Sequence, residues 1–192
     1  MLDEGVLFLY EINFLLIGLL PKIFFKKGGQ FNARWWLTAT PLFVCPIFLL
    51  AAHFGLAIVP GLSEALAPWN RVLALAAVPF SAGSIALMAF TLGSHRIPIA
   101  LWHQTRDAPA SIVTWGAYRR IRHPFYASFL LVLFGAFVFV PHPVTGVCFV
   151  MSYVILNFTA AREERRLFQS QFGSEYAAYM ARTGRFLPRR AR

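Results

Sequence analysis

The sequence predicts an all-α, multi-pass membrane protein with about five transmembrane helices and a cytosolic amphipathic helix near its C-terminus. Two observations lead there. Hydrophobic residues make up 58% of the 192 residues and charged residues only 14%, against about 25% charged in a typical soluble domain. The net charge of +10 is gathered in blocks between apolar runs. That distribution sets membrane topology; it does not cover a soluble surface or track a nucleic-acid backbone.

The apolar runs are 5–21, 36–60, 72–92, 125–140 and 144–160. A helix needs about 20 apolar residues to cross the hydrocarbon, so the first, fourth and fifth are at the short end. The first run has its basic residues after it and none before it, unlike a cleaved signal peptide. It carries Glu11 and Asn13. An ionisable residue at such a depth marks a functional site, or else it faces a neighbouring helix or a head group, the reading we favour. Pro41 and Pro46 in the second run predict kinks. Pro79, Ser81, Gly83 and Ser84 in the third predict a kink and close helix approach. Only Pro141-His142-Pro143 separates the fourth run from the fifth. A continuous helix would have to pass two prolines, so the two runs form an antiparallel hairpin. Cys45 and Cys148 lie in different runs without CxxC spacing and read as buried small hydrophobes. No metal site is expected.

Orientation follows from the basic residues. Lys22, Lys26, Lys27 and Arg34 fall between the first two runs. Arg96, Arg106, Arg119, Arg120 and Arg122 fall between the third and fourth, and the remaining arginines except Arg71 follow the fifth. The acidic residues Asp3, Glu4 and Glu64 lie opposite. The positive-inside rule then puts the N-terminus outside and the C-terminus in the cytosol, which an odd number of spans permits. On this basis 1–92 is a three-span scaffold. Residues 93–192 comprise a cytosolic loop, the two-span hairpin and a tail. In the tail, Tyr176, Tyr179 and Met180 recur at helical spacing, as expected of a helix lying on the bilayer surface.

Two clusters carry candidate chemistry. Gly116 to Tyr126 collects Tyr118, Arg119, Arg120, Arg122, His123 and Tyr126 where loop meets helix, with Pro124 at the first helical position. The N–H groups and positive dipole end of that helix suit an anionic ligand group. The same residues also suit a topological anchor with an interfacial tyrosine. Arg162-Glu163-Glu164-Arg165-Arg166 follows the fifth run. Acidic residues do little for topology, so this pair reads either as a carboxylate site for a cationic group or as a solvated face of ion pairs. The hairpin brings the two clusters side by side.

Arg122-His123-Pro124-x-Tyr126, preceded by Gly116-x-Tyr118, resembles the signature of the isoprenylcysteine carboxyl methyltransferases and their phospholipid methyltransferase relatives. So does Glu163-Glu164 followed by Phe172-Gly173-x-x-Tyr176-x-x-Tyr179 and Arg185-x-x-Pro188. The resemblance covers about residues 92–188. It implies S-adenosylmethionine as cofactor, held at the cytosolic face by Tyr118, His123, Pro124, Phe125, Tyr126 and Glu164. It adds Ala110, Ser111, Ile112 and Val113, and, further upstream, His103 or Gln104. His123, Glu163 and Arg162 are the candidates for catalysis: His123 or Glu163 as the base that an amine or thiol acceptor would need, and Arg162 as a nearby arginine that could reach a substrate carboxylate. The chain departs from the prenylcysteine enzymes at Ala110, where they have histidine. It departs again at Ala160, where they place an arginine for the substrate carboxylate. Arg162 is rotated by about 200° from that position. The acceptor therefore stays open between a prenylcysteine-like carboxylate and a phospholipid-like group.

The partners expected are a lipophilic acceptor entering from the bilayer and membrane lipids, with no nucleic acid and no metal. The membrane would be the inner membrane of a bacterial cell or the endoplasmic reticulum of a eukaryotic one. Two other functions are weighed. A membrane reductase akin to sterol reductases would use NADPH, for which no Gly-rich phosphate loop is present. A non-catalytic scaffold or small transporter would leave the clusters unexplained.

Overall fold

A computed structural model of the chain describes residues 2–19, 31, 33–56, 67–94 and 112–189. It contains six α-helices among them: α1 (Glu4–Leu19), α2 (Ala33–His53), α3 (Asn70–Ser94), α4 (Pro124–Phe139), α5 (Pro143–Phe168) and α6 (Gly173–Arg182). Short 3₁₀ turns precede α3 and α4, at Ala67–Trp69 and Gly116–Arg119. The described residues form no sheet, and one isolated parallel bridge joins Ile121 to Gly184.

Among the described residues, three helices are long and apolar enough to cross a membrane: Trp36–His53 within α2, then α3 and α5; α4 is a shorter apolar helix. The surface agrees with a lipid solvent. Phe8, Leu15, Leu37, Ile47, Leu75, Phe90 and Phe158 are large, apolar and exposed along the helices. A soluble monomer rarely exposes so much contiguous apolar surface. At the centre, α4 is apolar and buried on nearly every side, from Pro124 through Leu130 and on to Phe139, as expected of a helix without a polar face. α3 packs along α4, α2 packs along α5, and α1 lies against α2 and α3.

Hydrophobic burial does not drive helices together in lipid, so close packing and interhelical hydrogen bonds must. The α1–α3 contact uses both. Tyr10 donates its hydroxyl to the Ala77 carbonyl at 2.7 Å. Asn13 Nδ2 donates to Ser81 Oγ at 2.9 Å and to its carbonyl at 3.1 Å. Ser84 Oγ extends the network to the Ser128 carbonyl of α4 at 2.8 Å. Asn13 is thus structural here, linking α1 to α3. Gly135 of α4 is the point of closest approach, because a Cβ there would overlap the Tyr10 hydroxyl and the Phe80 Cβ.

The α4–α5 turn is fixed by its own residues. Pro143 opens α5, where the missing N–H has no helical partner to lose. His142 Nδ1 accepts from Val144 N at 3.2 Å, and Thr145 Oγ1 lies 2.8 Å from both the Val140 and His142 carbonyls. At 26 residues, α5 is about 39 Å long, against a hydrocarbon core of about 30 Å. Its last two turns, Arg162 onward, carry all its charged residues and lie beside the start of α4.

Substituting Gly135→Ala should destabilise the bundle by about 1–3 kcal/mol through overpacking. Gly146→Ala, whose Cβ would meet only Phe137 ring carbons at 3.4–3.5 Å, should not. Equal melting temperatures for the two variants in detergent would refute the close-approach role of Gly135.

Candidate functional site

The site is assembled from three chain segments that meet where α4 begins. Residues 120–123 run alongside 184–185. Gly184 N donates to Arg120 O at 3.1 Å, Arg122 N to Gly184 O at 2.8 Å, and His123 N to Arg185 O at 3.0 Å. This short ladder sets Arg122 and His123 beside Arg185. The hairpin then brings Glu163 and Glu164 of α5 against them.

Glu164 is 4% exposed, and a carboxylate that dry persists only if paired and hydrogen-bonded. It is both. Arg122 Nε donates to its Oε1 at 2.9 Å. Arg185 Nε and Nη2 grip Oε1 and Oε2 at 3.1 and 2.6 Å, the two-pronged geometry that only a guanidinium provides. His123 Nε2 stands 3.3 Å from Oε1. Burial by itself would raise the Glu164 pKa, but the close approach of His123 and the bonds from Arg185 and Arg122 outweigh it and hold the carboxyl well below its ordinary range. The arginines fasten more than the glutamate. Arg122 Nη1 also donates to the Thr183 carbonyl just past the C-terminal end of α6, and Arg185 Nη1 donates to Asn157 Oδ1 at 2.6 Å. One carboxylate thus joins the start of α4, the end of α5 and the tail.

Glu163 has a different setting. The Tyr126 hydroxyl donates to its Oε1 at 3.0 Å, and His123 Nδ1 is 3.6 Å from its Oε2. No guanidinium lies within ion-pair distance of it among the described residues. Burial pushes its carboxyl up to about 8, against the pull of the Tyr126 hydroxyl and Arg166. His123 is shifted the other way. Burial lowers its pKa, against the pull of the Glu164 carboxylate 3.3 Å away. Its ring stacks on Tyr126 with centroids 5.3 Å apart, and Phe186 of the tail sets an edge against both rings and against Tyr153. The result is a carboxyl without a counter-ion, flanked by aromatic rings. That arrangement suits a cationic group, through charge and through the ring faces.

Of the residues singled out in the sequence, His123, Tyr126, Glu163 and Glu164 come together here. Pro124 and Phe125 are buried in the first turn of α4. Tyr118 is buried in the preceding 3₁₀ turn, with its carbonyl accepting from the Tyr179 hydroxyl at 2.7 Å. Val113 is buried and Ile112 half-buried before that turn. Arg162 is exposed, about 200° round the helix from Glu164, and takes no part in the cluster. His103, Gln104, Ala110 and Ser111 lie outside the described residues. Sequence reasoning did not place Arg185, Asn157 or Phe186 in the site. The available signal was electrostatic: a buried glutamate demands counter-ions, and Arg185 sits in one of the signature motifs. Among the described residues no group of His, Cys, Asp and Glu is arranged to hold a metal ion.

Substituting Glu164→Gln should strip the counter-ion from two partly buried guanidiniums and cost about 3 kcal/mol. It should also expose the bonds after Arg182 and Arg185 to trypsin. The clamp depends on pH with a definite sign. Because the folded carboxyl lies below its ordinary value of 4.5, its stabilisation is full above that value and is lost as pH falls below it. Unchanged melting and protease resistance in the variant would show that the clamp does not hold the tail.

Comparison of the chain with protein-family models, with curated proteins and with solved structures finds no match.

Proposed function

We propose that this protein is an integral membrane methyltransferase that uses S-adenosylmethionine and passes the methyl group to a lipophilic acceptor. In this reading the chain has five spans, its N-terminus is outside, and the site in 93–192 opens to the cytosol. The reading rests on one observation. The two motif blocks of the methyltransferase resemblance, far apart in sequence, meet in one cluster where His123 and Tyr126 flank the Glu163 carboxyl, which pairs with no guanidinium among the described residues.

The donor set fits the cofactor. S-adenosylmethionine supplies, when bound, a methyl group activated by a sulfonium, and it also carries an ammonium. Glu163 would balance one of these cationic groups, with the His123, Tyr126 and Phe186 rings beside it. The resemblance counts Glu164 among the residues that hold the cofactor. We give the cationic contact to Glu163, because both Glu164 oxygens are already engaged by Arg122 and Arg185. Glu164 then orients the site without meeting the ligand. In this reading His123, with Nδ1 3.6 Å from Glu163 Oε2, would take the proton from an amine or thiol acceptor. Methyl transfer otherwise asks mainly for alignment of the reacting atoms, which a rigid clamp provides.

The titration of Glu163 makes this testable. Protonated at pH 7 with a pKa near 8, it should lose its proton when a cation binds beside it. Calorimetry of S-adenosylmethionine binding at pH 7, in two buffers of different ionisation enthalpy, should report release of up to about one proton. Glu163→Gln should abolish that release and weaken binding. NADPH should not bind. Binding of NADPH alone would favour the reductase, and binding of S-adenosylmethionine without proton release would remove Glu163 from the cofactor contact.

A further inference from the structure

The charged face carries a second feature, apart from the glutamate cluster. A cleft of about 690 Å³ is lined by Thr114, Trp115, Gly116, Arg119 and Arg182. Two of these five residues are arginines and none is acidic. Both arginines are exposed and neither is paired with a carboxylate among the described residues. Arg119 ends the 3₁₀ turn and Arg182 ends α6. Their separation is set by bonds immediately beside them. The Tyr179 hydroxyl donates to the Tyr118 carbonyl at 2.7 Å. Thr183 Oγ1 donates back to the Tyr179 carbonyl at 2.6 Å.

The depth of the cleft is also defined. Its turn sits on the last residue of α3, with Trp115 Nε1 donating to the Ser94 carbonyl at 3.1 Å and Ala117 N to Ser94 Oγ at 2.9 Å. α3 is one of the helices able to cross the membrane, and Ser94 is its last residue. Trp115 is 57% exposed there, and an indole with one apolar body and one bonded N–H belongs at the bilayer interface. One helical turn deeper, on the same face of α3 as Ser94, Phe90 is exposed as well. The cleft therefore has guanidiniums at its head and apolar surface running from it into the bilayer.

We propose that this cleft binds the phosphate of an anionic phospholipid between Arg119 and Arg182, with the acyl chains lying against the exposed face of α3. Guanidinium forks match phosphate oxygens, and a site with two positive charges and no acid among its described residues favours a lipid of net negative charge over a zwitterionic one. The apolar continuation past Phe90 selects the lipid over a free phosphate. This inference needs only the membrane reading; it does not depend on methyl transfer.

The full-length protein in detergent, titrated with phosphatidylglycerol, phosphatidylcholine or soluble glycerophosphoglycerol and read by native mass spectrometry, tests it. Phosphatidylglycerol should bind in preference to both others. Arg119→Gln/Arg182→Gln should weaken it by roughly tenfold or more, the loss expected for two charge-assisted contacts. Arg120→Gln/Arg165→Gln removes the same charge outside the cleft and should leave the affinity unchanged. All four arginine side chains are exposed, so their replacement leaves the packed core intact. Equal losses in the two double variants would reduce the effect to diffuse positive charge. Equal binding of phosphatidylcholine, or of glycerophosphoglycerol, would overturn the anionic-lipid site.

Discussion

The membrane-surface half of this protein depends on a single buried carboxylate. Glu164 accepts from Arg122 and Arg185 at 2.6–3.1 Å, and each guanidinium reaches onward to another segment. Removing water from charged groups is costly, and two positive charges around one negative one would be unstable without further acceptors. The Thr183 carbonyl and Asn157 Oδ1 supply these acceptors. The tail is thereby docked by polar contacts as well as by Phe186. The same cluster decides which of the adjacent glutamates is available to a ligand. With the counter-ions drawn to Glu164, Glu163 is left with a phenol and an imidazole.

The cluster forms at that place because of the hairpin beneath it. The capped turn at Pro141–Pro143 fixes where α5 begins, and α4 is 16 residues long. An antiparallel partner rising at 1.5 Å per residue regains the level of His123 after a comparable number of residues, near Ala160. Glu163 and Glu164 follow within the next turn. The register also requires α4 to stay close to its neighbours, which Gly135 and the Tyr10, Asn13 and Ser84 bonds ensure. Small residues and hydrogen bonds take the role that apolar burial has in water.

Much of this was legible in the sequence because it is local or nearly so. The Pro-His-Pro turn implies the hairpin, and the hairpin implies that His123 approaches the glutamate pair. What was not legible depends on chain returning from a distance. Arg185 reaches Glu164 only after α6 reverses direction, and spacing along the chain does not encode that reversal. Arg162 is closer in sequence than Arg185, yet its helical angle turns it outward. The helical spacing of Tyr176, Tyr179 and Met180 leads to the expectation of a helix lying on the bilayer surface. Their spacing does define a face, but both tyrosines are buried within the protein, and Tyr179 bonds the Tyr118 carbonyl. Periodicity identifies a buried face without identifying what covers it.

The most direct test of the proposed chemistry follows the methyl group. The protein is reconstituted in vesicles of a total lipid extract and supplied with S-adenosylmethionine labelled in its methyl carbon. The label should appear in an organic-extractable product, and should fall to the protein-free level with Glu163→Gln. Absence of labelled product with the wild-type protein, together with transfer of deuterium from labelled NADPH into the same extract, would contradict the account and favour a reductase.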